Sequence, residues 1–463
     1  MGGKREMAIG LAAFAAALAA LIAFLFAPDA GAQNPAEQPK GLFVGVATCG
    51  GTTCHGRSEG NGAVVRQDEL MIWQDPASAA GAHSRAFAVL SSPRSREIAR
   101  RLGLPNNDAT RAEMCLGCHT TAAPASMRGA RFQLSDGVGC ESCHGPAGGW
   151  ISSHYAVGGT HDANVSRGMT RLDNVRVRAG VCLDCHFGSQ DQGQFVNHRI
   201  MAAGHPRIAF ELDLFTTLQA HHTEDTDYAA RKSRPNPVQT WAVGQAMALE
   251  RSLSLFATSD RGTEGIFPEF YFFDCHSCHR RISDDPRAEL SVIPNPARPI
   301  PNGMPPYNDE NMIMLSAAAR VIAPQLAERF ERDSRAFHRA IASDRISAVR
   351  AAATLRDSAR ALSAAFGSAE LGRAQVFAII DAIASSAISE RFTDYAGSVQ
   401  AVMATDTLLS ALVAQGGIAE ARANAIRGDI NLAYAAVRDP NSYEPRQYRA
   451  ALGRAVAAIR RLR

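Results

Sequence analysis

Four times in this chain two cysteines are separated by two residues and followed at once by a histidine. The copies are Cys115-Leu-Gly-Cys118-His119, Cys140-Glu-Ser-Cys143-His144, Cys182-Leu-Asp-Cys185-His186 and Cys275-His-Ser-Cys278-His279. One more, stretched copy precedes them, Cys49-Gly-Gly-Thr-Thr-Cys54-His55, with four intervening residues, so the motifs are numbered first to fifth in chain order from Cys49. All 10 cysteines lie between Cys49 and Cys278, so the pairs organise one segment and leave the rest of the chain without thiols. Ten cysteines first suggest five disulfides. A disulfide framework needs no histidine behind each pair, however, and zinc usually sets one cysteine pair against a second. With 14 His in 463 residues, a histidine after all five second cysteines by chance has a probability on the order of 10⁻⁸. Two thiols a short turn apart can add to the two vinyl groups of one haem, and the adjacent imidazole then reaches the iron. The expected cofactor is therefore haem c, five covalently bound, with His55, His119, His144, His186 and His279 as proximal ligands. At Cys49 and Cys54 the longer gap leaves two alternatives, a local disulfide or a haem held by a single thioether.

Of the nine remaining histidines, His276 is committed to the turn of the fifth motif and His338 lies far beyond the cysteine segment. Seven are candidate distal ligands: His83, His154, His161, His198, His205, His221 and His222. Five irons need at most five of them, so the supply fits mostly bis-histidine haems, a low-potential electron-transfer state. His83 follows Trp73 and opens His-Ser-Arg-Ala-Phe, and His154 follows the third motif through Gly145-Pro146, with His161 as its neighbour. His205 is fixed by Pro206, and His198 lies two helical turns earlier, which would put both on one side of a helix. His221 and His222 are adjacent and would point about 100° apart on a helix, so at most one serves a given iron.

The N-terminus reads as an export signal over residues 1–32. Lys4 and Arg5 precede an apolar run from Met7 to Ala27, and Ala30-Gly31-Ala32 fits a cleavage site. The run is also long enough to span a bilayer, so a retained anchor is the alternative. Both readings place the body in the periplasm, soluble or anchored, with membrane contact only if the segment is retained. Lys+Arg 48 against Asp+Glu 45 gives a net charge of +3, which carries no nucleic-acid footprint. The fold expected is mainly α. A multihaem cytochrome c domain with little regular secondary structure covers 41–281, apart from one helix over Val238 to Phe256. A Pro-rich linker or wrapping arm covers 282–308, and an α-helical bundle covers 309–463. Helical spacing is clear at Ile346, Val349, Leu355, Ala359, Leu362 and Phe366 behind a Ser343-Asp344 cap, and at Tyr448, Leu452, Val456 and Ile459 behind Pro445. Further helical pieces are expected around 309–333, 369–385, 398–413 and 417–437.

The stretch Gly137-Val-Gly-Cys-Glu-Ser-Cys-His-Gly-Pro146 resembles the cytochrome c-554 family of multihaem c-type cytochromes. Trp73, Asp75, Ala82, His83 and Ala86 after the first motif agree with it. So do the Cys-x-Gly-Cys-His form at Cys115, Gly117, Cys118 and His119, and a histidine shortly after Gly-Pro, here His154. The resemblance runs from Gly41 to Ala156. It implies an electron carrier with closely stacked haems, related in haem arrangement to hydroxylamine-oxidising and nitrite-reducing enzymes. It also implies that the haem on Cys115, Cys118 and His119 lacks a sixth ligand. The stretched first motif, the fifth motif and the cysteine-free C-terminal half depart from the four-haem pattern.

Three functions are compatible with these residues. The first is an electron-transfer protein that passes electrons one at a time between redox partners, such as a membrane quinol dehydrogenase, a terminal reductase or a small cytochrome. The second is an oxidoreductase acting on a small nitrogen or sulfur oxide at one open iron, most readily that of His119. The third is a subunit whose helical bundle docks to such a partner. The first is preferred, because no convergent acids, bases or nucleophiles of a hydrolytic site are present.

Overall fold

The computed structural model describes residues 41–58, 66–224, 228, 236–263, 267–279, 295–301, 304–392 and 394–463. The export segment 1–32 and most of the expected linker, including 282–294, lie outside these residues. Among the described residues the chain is mainly α and contains no β-strand, only the isolated bridges Phe43–Arg128, Phe273–Tyr307 and Asn295–Arg298.

Residues 41–224 form short helices and 3-10 turns, and three motifs share one local form. His119, His144 and His186 are the last residues of the helices Glu113–His119, Cys140–His144 and Val175–His186. One helical turn puts the two thiols of a C-x-x-C pair on the same side, with the histidine next along the chain. The first motif departs from this, as its extra residues require. Cys49 ends the short helix Val46–Cys49 and Cys54 lies in a turn beyond it. The fifth forms the 3-10 turn Cys275–Ser277. The apolar clusters of this segment are small, such as Val44, Ala147 and Trp150, or Leu90, Ala99 and Ala109.

One carboxylate ties the third motif to the start of the described chain. Buried Glu141 accepts hydrogen bonds from the backbone N–H groups of Val44 (2.9 Å), Gly45 (2.8 Å) and Ala147 (2.7 Å). A buried donor left unpaired costs about 1–3 kcal/mol. Glu141→Ala is therefore expected to destabilise the protein by about 3 kcal/mol or more, read as a fall in the denaturation midpoint. Glu141→Gln, which keeps one acceptor oxygen, should lose less.

The large core belongs to the long helices. They are α1 (Pro237–Ala257), α2 (Glu310–Ile322), α3 (Pro324–Ile341), α4 (Arg345–Gly367), α5 (Arg373–Ala387), α6 (Tyr395–Ala414), α7 (Arg427–Ala436) and α8 (Pro445–Arg460). Their apolar residues form one continuous cluster that includes Trp241, Phe256, Phe337, Leu355, Leu362 and Tyr448. Asn236 caps α1 by accepting from Val238 N and Gln239 N, and Asp344 caps α4 by accepting from Ser347 N. The helix expected over Val238–Phe256 is α1, but it packs as a member of this cluster, chiefly along α4. Its other side meets Val175–His186 and Leu212–Leu218. Gly244 allows that approach, since a Cβ there would stand 2.5 Å from Leu212 Cβ.

Two expected helices are each divided. The piece around 309–333 breaks at Ala323, because Pro324 lacks the N–H to continue α2 and instead opens α3. The piece around 417–437 is a short helix Glu420–Asn424 followed by α7. α6 is apolar and long enough to cross a membrane by composition, yet 78% of its apolar window is buried within the protein.

The described part of the arm is pinned to the bundle by a buried ionic cluster. Arg298 Nε donates to Asp309 Oδ2 (2.5 Å), and its Nη1 and Nη2 donate to the two oxygens of Asp394 (2.5 and 2.7 Å). Asp309 and Asp394 are the N-cap residues of α2 and α6, where helix dipoles favour negative charge. His338 Nε2 lies 3.2 Å from Asp309. The same arm runs back along the fifth motif, with Asp274 N bonded to Pro306 O (2.9 Å) and Asn308 N to Phe272 O (2.7 Å).

Candidate haem sites

Each motif histidine faces the ring of a second histidine from elsewhere in the chain. The ring centres of His55 and His154 are 6.0 Å apart, those of His83 and His186 6.0 Å, and those of His119 and His205 6.4 Å. His144 faces both His221 (6.3 Å) and His222 (6.1 Å), and His198 faces His279 (6.4 Å). Two metal–nitrogen bonds of about 2 Å, plus the distance from ring nitrogen to ring centre on each side, would put two imidazoles on one metal with centres roughly 6.3 Å apart. The residues present therefore fit bis-histidine iron at five places. All ten cysteines are free thiols.

Hydrogen bonds orient several of these rings. His119 Nδ1 lies 2.7 Å from Ala86 O, His205 Nδ1 2.8 Å from Pro206 O, and His221 Nδ1 2.9 Å from Gln219 O. A carbonyl oxygen only accepts, so each Nδ1 carries the proton and each Nε2 keeps its lone pair for a metal. Burial favours the neutral ring as well. It is the main influence pushing His144 down to about 3, helped by His222, His221, His55 and His154 around it. Burial and then His83 push His186 down to about 4, and burial and then His222 push His221 down to about 4. His83 and His205 are lowered mainly by burial too. Neutral imidazole is the metal-binding form.

The structure bears on four of the expectations. The resemblance implied an open sixth position at His119, but His205 stands opposite that ring at the same separation as the other pairs. His198 and His205 do not share a helical side. The helix His198–Ala202 ends before Gly204, whose φ of +119° turns the chain, so His205 faces His119 while His198 faces His279. His221 and His222 lie beyond the end of the helix Leu212–Leu218, and without helical geometry both turn toward His144, 4.2 Å apart from each other. His161 is brought to none of the motif histidines. It is exposed, with Nε2 3.4 Å from Asp173. His276 donates toward Pro440 O (3.1 Å) and packs edge-on against Tyr443, which seats the fifth motif on the bundle.

The motifs are themselves close together. The thiols of Cys49 and Cys140 are in hydrogen-bonding reach, as are those of Cys118 and Cys185. Cys143 is near enough to Cys182 to feel its charge. The Arg207 guanidinium, 3.3 Å from Cys275 Sγ and stacked over Tyr271, lines with Cys185 and His186 the space between the fourth and fifth motifs.

Two further residues belong to this arrangement without a motif to mark them. One is Arg207; the other is Glu69, only 8% exposed, at the start of the helix Glu69–Gln74. Glu69 Oε2 is 2.9 Å from His55 Nδ1 and its Oε1 is 3.3 Å from His222 Nδ1. Burial works to raise the Glu69 carboxyl, but the hydrogen bonds from His222 and His55 outweigh it and hold the group well below the usual carboxylate range. The same bond from Glu69 raises His55. Glu69 was visible in the sequence only as one acid among many, because its contacts depend on tertiary folding.

Thiol pairs followed by imidazole, each facing a second imidazole, define a c-type cytochrome, an electron-transfer protein carrying covalent haem c. Residues 52–145, about a fifth of the chain, match the family model described as cytochrome c554 and c-prime, and the similarity is confined to this segment. The match contains Cys54-His55 and the whole of the second and third motifs, and it bears out the resemblance drawn from Gly137–Pro146. No curated protein and no solved structure shows significant similarity to the chain.

Proposed function

We infer that the protein is a periplasmic multihaem cytochrome that holds five haems and relays electrons between redox partners. The observation carrying this reading is the facing of all five motif histidines by a second histidine at ring separations of 6.0–6.4 Å. The proximal set is His55, His119, His144, His186 and His279. The distal set is His154, His205, one of His221 and His222, His83 and His198, in the same order. The haems, when bound, supply one-electron oxidation and reduction at iron.

The chain's own part is spacing and tuning. Adjacent thiols at Cys49 and Cys140, and at Cys118 and Cys185, bring the first motif to the third and the second to the fourth. Cys143 and Cys182 link those two pairs, and Arg207 lies between the fourth motif and the fifth. The resulting order is first, third, fourth, second, with the fifth beside the bundle. The alternative, an oxidoreductase with an open iron, requires one motif histidine without a facing imidazole, and none of the five is in that state. Export rests on the N-terminal pattern of Lys4, Arg5, the apolar run and Ala30-Gly31-Ala32. The partner is a redox protein such as a quinol dehydrogenase, a terminal reductase or a small cytochrome.

The test is the pyridine haemochrome content of the exported protein together with its electron paramagnetic resonance spectrum. Five haems per chain, all low-spin, are expected. Fewer than four would sink the reading, and four would assign Cys49 and Cys54 to a disulfide. A periplasmic fraction containing the protein would support the location; a cytoplasmic, colourless protein would refute it.

A further inference from the structure

Glu69 lies in none of the motifs, yet its two carboxylate oxygens reach imidazoles at two different sites. Oε2 accepts a hydrogen bond from Nδ1 of His55, whose ring faces His154 (2.9 Å and 6.0 Å). Oε1 lies 3.3 Å from Nδ1 of His222, whose ring faces His144 at 6.1 Å. Both contacts are to Nδ1, which leaves Nε2 of each ring as the nitrogen available to a metal. The carboxylate is nearly removed from solvent, and the first and third motifs it joins already touch through Cys49 and Cys140. His221, the other imidazole facing His144, makes its Nδ1 contact to the neutral carbonyl of Gln219.

We propose that Glu69 is a positioning residue shared by two haem sites: it selects His222 over His221 as the partner of His144, and through one negative charge it stabilises the oxidised iron at both the first and the third motif. A carboxylate on the far nitrogen makes an imidazole a stronger donor than a carbonyl does, fixes its tautomer, and favours the more positive metal. The inference rests on the haem assignment proposed above, and its test separates the two.

Wild-type protein is first assayed for haem content, which alone judges that assignment. Potentials of the individual haems are then compared between wild type and Glu69→Gln by optical and paramagnetic-resonance redox titration. The amide is nearly isosteric and uncharged. Two of the five haems are expected to shift upward, each by about tenfold in its oxidised-to-reduced ratio at fixed potential, or about 59 mV for a one-electron couple. The other three stay in place. Glu69→Asp keeps the charge and is expected to hold the two potentials closer to wild type than Gln does. It also stands in for the test should the Gln variant fail to mature, the two haems then shifting in the same direction by less. A shift of a single haem would overturn the shared role and give His144 to His221. No shift, or an equal shift of all five, would overturn the proposal outright.

Discussion

Replacing His205 by alanine is expected to turn one low-spin haem of the five into a high-spin, five-coordinate one without lowering the haem content. Attachment depends on Cys115 and Cys118, which the substitution leaves alone, while the imidazole facing His119 disappears. The new high-spin resonance should respond to cyanide or nitric oxide, and the wild-type protein should show no such response. His205 is the informative choice, because the family resemblance implied an open iron at this very motif whereas the ring of His205 stands 6.4 Å from that of His119. Its Nδ1 bond to Pro206 O leaves Nε2 as the nitrogen available to a metal, and Gly204 provides the bend that parts it from the helix His198–Ala202. A wild-type protein already carrying one high-spin haem, unchanged by His205→Ala, would restore the open iron. His161→Ala, which alters an exposed residue paired only with Asp173, should leave every haem low-spin.

The largest loss of stability is expected from Arg298→Met. Arg298 neutralises two buried carboxylates, Asp309 and Asp394, which are 2% and 4% exposed. Removing one member of a buried ionic cluster leaves uncompensated charge and costs about 3–5 kcal/mol, to be read from chemical denaturation. The two carboxyls respond differently at present. Burial raises Asp394 despite Arg298, while at Asp309 the pull of Arg298 and then His338 outweighs burial and lowers it. Without the guanidinium both would move up. A carboxyl whose folded value lies above its unfolded value contributes stability at low pH and loses it as pH rises. The deficit of Arg298→Met should therefore be small near pH 4 and grow toward neutrality. Adding Asp309→Asn and Asp394→Asn should recover much of it. A deficit that does not depend on pH would show that Arg298 acts through packing alone.

Attachment chemistry was legible from the residues because it is local. Two thiols and an imidazole within five positions carry their meaning wherever they fold, and the histidine supply limited the partners to seven. Which imidazole meets which motif was not legible. His83 belongs with His186 and His198 with His279, and nothing in the spacing connects those positions, since tertiary folding brings them together. The attempt to place His198 and His205 on one side failed because the chain turns at Gly204. Helices with strong three- and four-residue spacing, such as α4 and α8, were read closely. The break before Pro324 was written in the sequence, and Pro at a first helical position accounts for it. Glu69, Arg207 and Arg298 could not have been singled out, because a charged residue gains such a role only by being buried beside partners far along the chain. The same holds at the end of α8, where Arg460 and Arg463 reach Asp381 of α5 at 2.7 and 2.8 Å.

The placement of α1 bears on the order in which the molecule can be completed. Its sequence comes between the fourth and fifth motifs, but its main neighbour, α4, is synthesised roughly a hundred residues later, and such non-local closure is slow. α1 also backs Val175–His186, the helix that carries Cys182 and Cys185, so the support of the fourth motif is completed only by residues that follow it in the chain.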